Sequence, residues 1–146
     1  LKALNESINV TQAGTPYIKT YETTIRVITE GLVELGLLKG DINDLIKAEA
    51  HREFYMHGAG HWLGLDVHDV GDYKIDGEWR IYEPGMVVTI EPGIYISPKN
   101  KKVDTKWRGI GVRIEDDIVV TESGCDVLTA GVPKLADEIE ALMAAA

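Results

Sequence analysis

The sequence is short of cysteine, of positive charge and of long apolar runs, and each shortage narrows what the protein can be. Cys125 is the only cysteine among 146 residues, so no intrachain disulfide can form, and a reducing compartment such as the cytoplasm is the natural setting. The thiol lies in Ser123-Gly124-Cys125-Asp126, which reads as a turn rather than as a reactive-cysteine site. No apolar stretch approaches the roughly 18 residues that a membrane span needs, which argues against an integral membrane protein. Fifteen Lys and Arg stand against 24 Asp and Glu, a net charge of −9. A surface that acidic repels phosphate backbones and anionic lipid, so neither nucleic acid nor a membrane surface is an expected partner. The first residue is Leu1 rather than Met. The chain therefore reads as part of a longer protein, and a missing targeting signal carries no weight.

What is present fits a globular domain. Apolar residues make up 45% and charged residues 27%, which disfavours disorder and low complexity, and the length suits a single core. Thr15-Pro16 reads as a helix start, with Thr as the cap and Pro at the first helical position. Behind it Ile18, Tyr21, Ile25, Ile28, Leu32 and Leu35 form one amphipathic face that ends near Gly36. A second helix is predicted from Asp41 through Ile42, Leu45 and Ile46, and residues 1–14 read as the end of an earlier helix and a loop. The pattern then turns to β. Met86 to Ile96 is interrupted by Glu91-Pro92-Gly93, and Gly109 to Thr121 alternates Ile110, Val112 and Ile114 against Gly111, Arg113 and Glu115. A hairpin at Glu122-Ser123-Gly124 leads to a short strand at Cys125 to Leu128. Ser97 to Lys106, with its four lysines, reads as an exposed loop. Lys134 to Ala146 forms a last helix with Leu135, Ile139, Leu142 and Met143 on one face.

Three of the four histidines, His57, His61 and His68, fall within the Gly-punctuated stretch from Met56 to Asp69. His57 and His61 have the spacing of the helical zinc motif, but Gly58 stands where that motif needs Glu, and Gly60 weakens a helix. An extended segment whose histidines line a cleft is the better reading. Glu91 and Glu115 stand out because their neighbours are apolar. A carboxylate inside a sheet is costly unless paired or metal-bound. Two readings follow: strand-end residues that face solvent or pair with Arg113 and Arg108, or, with one His, an open three-donor site for Mn, Fe, Co or Zn.

The stretch from His57 to Val70, then Glu83-Pro84-Gly85-Met86, Thr89-Ile90-Glu91-Pro92-Gly93-Ile94-Tyr95 and Arg108-Gly109-Ile110-Gly111-Val112-Arg113-Ile114-Glu115-Asp116-Asp117, closely resembles the C-terminal part of the bacterial aminopeptidase P family. These are Xaa-Pro aminopeptidases of the creatinase and methionine-aminopeptidase superfamily. The resemblance runs the length of the chain and includes the closing helix. Prolidase, which cleaves Xaa-Pro dipeptides, shares most of the motifs, and Trp62 and the closing helix favour aminopeptidase P.

The resemblance implies an α+β pita-bread fold, here partial: helices, then a curved antiparallel sheet, then a C-terminal helix. It implies a dinuclear site, usually Mn, built from two Asp, one His and two Glu, with the metal-bound water attacking the scissile carbonyl. His61 would be the histidine ligand, Glu91 a second ligand and Glu115 the bridging carboxylate. His57 and His68 would contact the substrate peptide, and Arg113 would hold Glu115 or a substrate carboxylate. Both Asp ligands and the N-terminal domain have no counterpart here, so residues 1–146 are expected to be the C-terminal portion of the catalytic domain. Such a piece is expected to bind at most one ion, weakly, and to be inactive alone. The full-length form is expected to be a homo-oligomer acting on peptides with proline second. A non-catalytic pita-bread binding module, or a creatinase-like hydrolase, would lack the metal ligands that His61, Glu91 and Glu115 supply.

Overall fold

The computed structural model describes residues 1–145; Ala146, the last residue of the expected closing helix, lies outside them. Helices α1 (Lys2–Val10), α2 (Ile18–Glu34) and α3 (Ile42–Lys47) come first, then a 3-10 turn at Ala50–Glu53. Strands β1 (Lys74–Ile75), β2 (Glu78–Trp79), β3 (Val87–Ile90), β4 (Gly93–Tyr95), β5 (Gly111–Arg113), β6 (Asp116–Thr121) and β7 (Gly124–Val127) follow, and α4 (Ala136–Ala144) closes the chain.

The apolar stripe of α2 sends Ile25, Ile28 and Leu32 into a core with Ala3, Phe54, Tyr55, Ile96 and Val103, while Leu35 at its end stays exposed. A second face of α2, carrying Thr20, Thr23, Thr24 and Thr29, is buried as well. Its hydroxyls find partners: Ser7 Oγ meets Thr24 Oγ1 at 2.7 Å, Thr11 Oγ1 meets Thr20 Oγ1 at 3.0 Å, and Thr20 Oγ1 meets the Tyr82 hydroxyl at 3.0 Å. Pairing the hydroxyls removes the cost of burying them, and small side chains let α1 lie close against α2.

The start of α2 departs from expectation. The helix begins at Ile18 rather than Pro16, and no side chain caps it. Pro16 instead forms a β-bridge with Ile81. The Tyr17 N–H donates to the Arg80 carbonyl at 2.8 Å, and the Tyr82 N–H donates to the Thr15 carbonyl at 2.9 Å. A distant segment has thus taken the backbone groups that a Thr15 cap would have organised. The other helix signals hold. Gly36, just past α2, has φ 72°, the left-handed conformation that favours glycine there, and the Asp41 carboxylate accepts the N–H groups of Asn43 and Asp44 at the start of α3.

The strand from Met86 breaks at Glu91-Pro92 as expected, and its two halves join different sheets. One sheet has the order β3-β6-β7; another pairs β4 with β5. The strand expected over Gly109 to Thr121 also breaks, at Ile114-Glu115. The two breaks face each other, because the β3–β6 ladder ends with Ile90 opposite Asp116 and the β4–β5 ladder begins with Gly93 opposite Arg113. Glu91 and Glu115 both fall in the gap between ladders. Behind it a second core gathers Leu4, Trp62, Tyr82, Val88, Ile90, Ile118 and Val120. Of the face expected over Ile110, Val112 and Ile114, only Ile114 packs against it; Ile110 and Val112 are exposed, as are Leu135, Ile139, Leu142 and Met143 at the closing helix. The hairpin β1–β2, turning at Asp76-Gly77, adds an element that the sequence reading did not include. Among the described residues no helix is long and apolar enough to cross a membrane.

Candidate metal centre

The histidine-rich segment is extended, and it lies along β3 like an added strand. The Leu63 N–H donates to the Val87 carbonyl, the Thr89 N–H to the His61 carbonyl and the Glu91 N–H to the Ala59 carbonyl, at 3.1, 2.9 and 2.7 Å. Gly60 permits this approach, since a Cβ there would lie 1.7 Å from the Thr89 carbonyl oxygen. The Tyr17 hydroxyl, which burial keeps protonated far into the alkaline range, donates to the Gly60 carbonyl at 2.8 Å. The histidine segment is therefore held from both sides.

Donor atoms of His61, Glu91 and Glu115 lie within 4.8 Å of one another, the one such group among the described residues. His61 Nδ1 is 2.9 Å from the Trp62 carbonyl oxygen. A carbonyl only accepts, so the ring proton is on Nδ1 and the lone pair is on Nε2. That lone pair faces Glu91 Oε1 at 3.5 Å, an arrangement that needs a proton or a cation between the two atoms. Thr89 Oγ1 orients both partners, accepting from the His61 N–H at 3.1 Å and donating to Glu91 Oε1 at 3.2 Å.

Charge makes the same point. Burial raises the Glu115 carboxyl above its ordinary value, the neighbouring Glu91 charge adds to this, and Arg113 opposes it. Arg113 Nε stands 3.8 Å from Glu91 and 3.7 Å from Glu115. One exposed guanidinium shared between two carboxylates leaves the centre short of positive charge. Imidazole nitrogen plus carboxylate oxygen is the donor set of a borderline divalent ion. The residues present therefore fit a metal.

The other expected residues divide. His68 packs edge-on against His61, ring centroids 4.1 Å apart. Arg113 reaches both carboxylates, whereas Arg108 turns away and donates to the Val103 carbonyl through Nε and Nη2. His57 joins none of these contacts; its Nδ1 faces the Gly58 carbonyl, and its Nε2 is 2.9 Å from the Tyr95 hydroxyl. It lines a cavity of about 450 Å³ together with Tyr17, Tyr21, Met56, Gly60 and Trp79. That cavity adjoins the donor group through Gly60, yet none of the three donors lines it. Thr89 and Tyr95 stand at the two ends of the Thr89–Tyr95 motif, but no site role was expected of either. A signal for Thr89 exists: it is the one hydroxyl in the run Val87 to Ile90, two residues before Glu91 and so on its face of the strand.

The sequence profile of metallopeptidase family M24 matches residues 1–122. The chain belongs to metallopeptidase family M24. Within this family it is 54% identical to the Xaa-Pro aminopeptidase of Escherichia coli strain K12 over 146 residues, which is 100% of this chain and 33% of that relative. The solved structure of Pseudomonas aeruginosa aminopeptidase PepP superposes with a TM-score of 0.97 at 61% identity, over 99% of this chain and 33% of that one. E. coli aminopeptidase P with the inhibitor Pro-Leu gives 0.92 at 53%, over 99% and 32%. This M24 chain thus has the pita-bread fold of the aminopeptidase P structures in part, and it spans about a third of the length of the curated relatives it matches. The family is one of metal-dependent peptidases.

Proposed function

We propose that this chain is the C-terminal portion of the catalytic domain of a metal-dependent aminopeptidase that releases the first residue from peptides with proline in second position. The observation that carries the proposal is the convergence of His61, Glu91 and Glu115 within 4.8 Å, with the His61 tautomer set by the Trp62 carbonyl so that Nε2 is free to ligate. The likeness to Xaa-Pro aminopeptidases supports the substrate class.

In this reading His61 Nε2, Glu91 and Glu115 ligate divalent ions, two in the whole protein, with Mn favoured and Zn, Co or Fe accepted by the same donors. A bound ion supplies a water that is nucleophilic at neutral pH and a Lewis acid for the scissile carbonyl. The chain's own residues do the rest. Thr89 keeps Glu91 turned toward His61, as partners behind a ligand commonly do. Arg113 offsets the repulsion between the two carboxylates. The raised Glu115 carboxyl must lose its proton on ligation, so ion binding strengthens as pH rises. His68 and His57, on one segment with His61, contact the substrate peptide. Tyr95 donates to His57 Nε2 and fixes its tautomer. The lone cysteine supports a cytoplasmic setting, and the exposed faces of β5 and α4 support packing against the rest of a homo-oligomeric protein.

The test uses the full-length protein. Chelator treatment is expected to abolish cleavage of a tripeptide with proline second, Mn(II) to restore it, and His61→Ala to prevent restoration. Turnover indifferent to chelator, with no stoichiometric metal, would overturn the reading. Cleavage confined to Xaa-Pro dipeptides would make the enzyme a dipeptidase instead.

A further inference from the structure

The segment that follows β7 lies beyond residue 122, where the M24 match ends, yet it reaches back to β6, whose first residue follows Glu115. Its anchor is Asp116, only 3% exposed. Asp116 Oδ1 accepts the Thr129 hydroxyl at 2.6 Å and pairs with Lys134 Nζ at 3.0 Å. Thr129 Oγ1 in turn accepts the Asp117 N–H at 3.0 Å, and the Leu128 N–H donates to the Asp117 carbonyl at 2.8 Å. Lys134 Nζ spends its remaining protons on the carbonyls of Thr129 and Val132, at 3.2 and 3.1 Å. All three donors of the ammonium are used, and the pair is mostly buried, with 16% of the Lys134 side chain and 4% of the Asp116 side chain exposed.

Such a cluster is more than surface decoration. A buried carboxylate is costly without its cation, and charge-assisted hydrogen bonds of this length are directional. Asp116 is also the last β6 residue of the β3–β6 ladder, opposite Ile90. Glu115 and Glu91 are the next residue on each strand, past the end of that ladder. Glu115 has no ladder partner and Glu91 is held on its other side by the Ala59 carbonyl, so the Ile90–Asp116 rung is the last direct link that sets where the two carboxylates start relative to each other.

We propose that Asp116, Thr129 and Lys134 are positioning residues for the metal centre: the segment 128–134 staples the β6 end from behind and sets the separation of Glu91 and Glu115. This rests on the metal-ligand reading above. Releasing the staple leaves the carboxylates in place chemically but lets their spacing vary, so the ion is held more weakly.

The experiment strips the full-length protein of metal and titrates it with Mn(II) alone by calorimetry, recording the melting temperature of the stripped form in parallel. Lys134→Met is expected to weaken Mn(II) binding about tenfold, within the range seen when groups behind a ligand are removed. Lys134→Arg should recover most of the affinity. Thr129→Val, which keeps the volume and the ion pair, should weaken binding by a smaller factor and serves if Lys134→Met does not fold. Lys102→Met, which loses only an exposed pair with Glu53, should bind as the parent does. Variants that melt lower but bind Mn(II) within twofold of the parent would overturn the proposal, since the cluster would then serve stability alone. A parent protein that binds no Mn(II) would defeat the metal reading itself, a separate outcome.

Discussion

Thr89 and His51 show how differently two buried polar side chains can act. Thr89 spends its hydroxyl on His61 and Glu91 at once. Thr89→Val keeps the shape and removes both bonds, so the fold should persist while Mn(II) affinity of the full-length protein falls about tenfold, measured by titration calorimetry. His51 is 1% exposed, and neither ring nitrogen has a hydrogen-bond partner. Burial lowers its pKa, the adjacent Arg52 adds to this, and Glu49 opposes it. The folded state therefore resists the proton that the unfolded chain accepts below about pH 6.5. The unfolded state binds more protons as pH falls, so this contribution is fully present above that pH and lost below it. Melting temperatures between pH 7.5 and 5.5 should fall less steeply for His51→Leu than for the parent. At pH 7.5 the substitution should be near neutral, because it removes two unsatisfied atoms. Equal slopes would show that His51 takes up its proton equally in the folded and unfolded states.

At the level of elements, β6 is the strand on which the site depends. Its Ile118 is fully buried in the core behind the gap, and Ile118→Ala should cost about 2–5 kcal/mol, read by chemical denaturation. Asp41→Ala, at the exposed start of α3, should cost only about 1 kcal/mol. The Asp41 cap, the Gly36 stop and the break at Glu91-Pro92 were legible because each depends on neighbouring residues. Glu91 and Glu115 were legible as anomalies, being carboxylates among Ile and Val. The start of α2 was not, because Thr15 and Tyr17 are claimed by Arg80 and Tyr82, partners that no local pattern reveals. The threonine face of α2 was hidden for a related reason: its burial depends on hydroxyls of α1 and on Tyr82, not on hydropathy. The role of Asp116 was hidden too, because its cation, Lys134, is remote in sequence.

For the whole molecule, the faces left open matter as much as those that are filled. Ile110, Val112, Leu135, Leu142 and Met143 are all exposed. Only three of the five ligands that the family resemblance implies lie in these residues. The purified 146-residue chain should therefore bind no more than one Mn(II) ion, weakly, and should not cleave a peptide with proline second. Turnover by this chain, abolished by His61→Ala, would contradict that expectation. Association of the isolated chain, seen by light scattering and relieved by Val112→Lys, would mark the Val112 face as one that is covered in the proposed whole enzyme.

The gap between the two ladders has a mechanical meaning too. Where the strands change partners the ladder thins to one direct backbone bond, from the Ile114 N–H to the Pro92 carbonyl at 3.2 Å, so the β3–β6–β7 and β4–β5 units are joined there by that bond, the chain crossings and the histidine segment alongside. A cation gripping Glu91 on one crossing and Glu115 on the other would act as a rivet through that joint. Amide exchange in residues 87–96 and 111–121 should then slow together when Mn(II) is added, and the two units, free to open one at a time without it, should open as one.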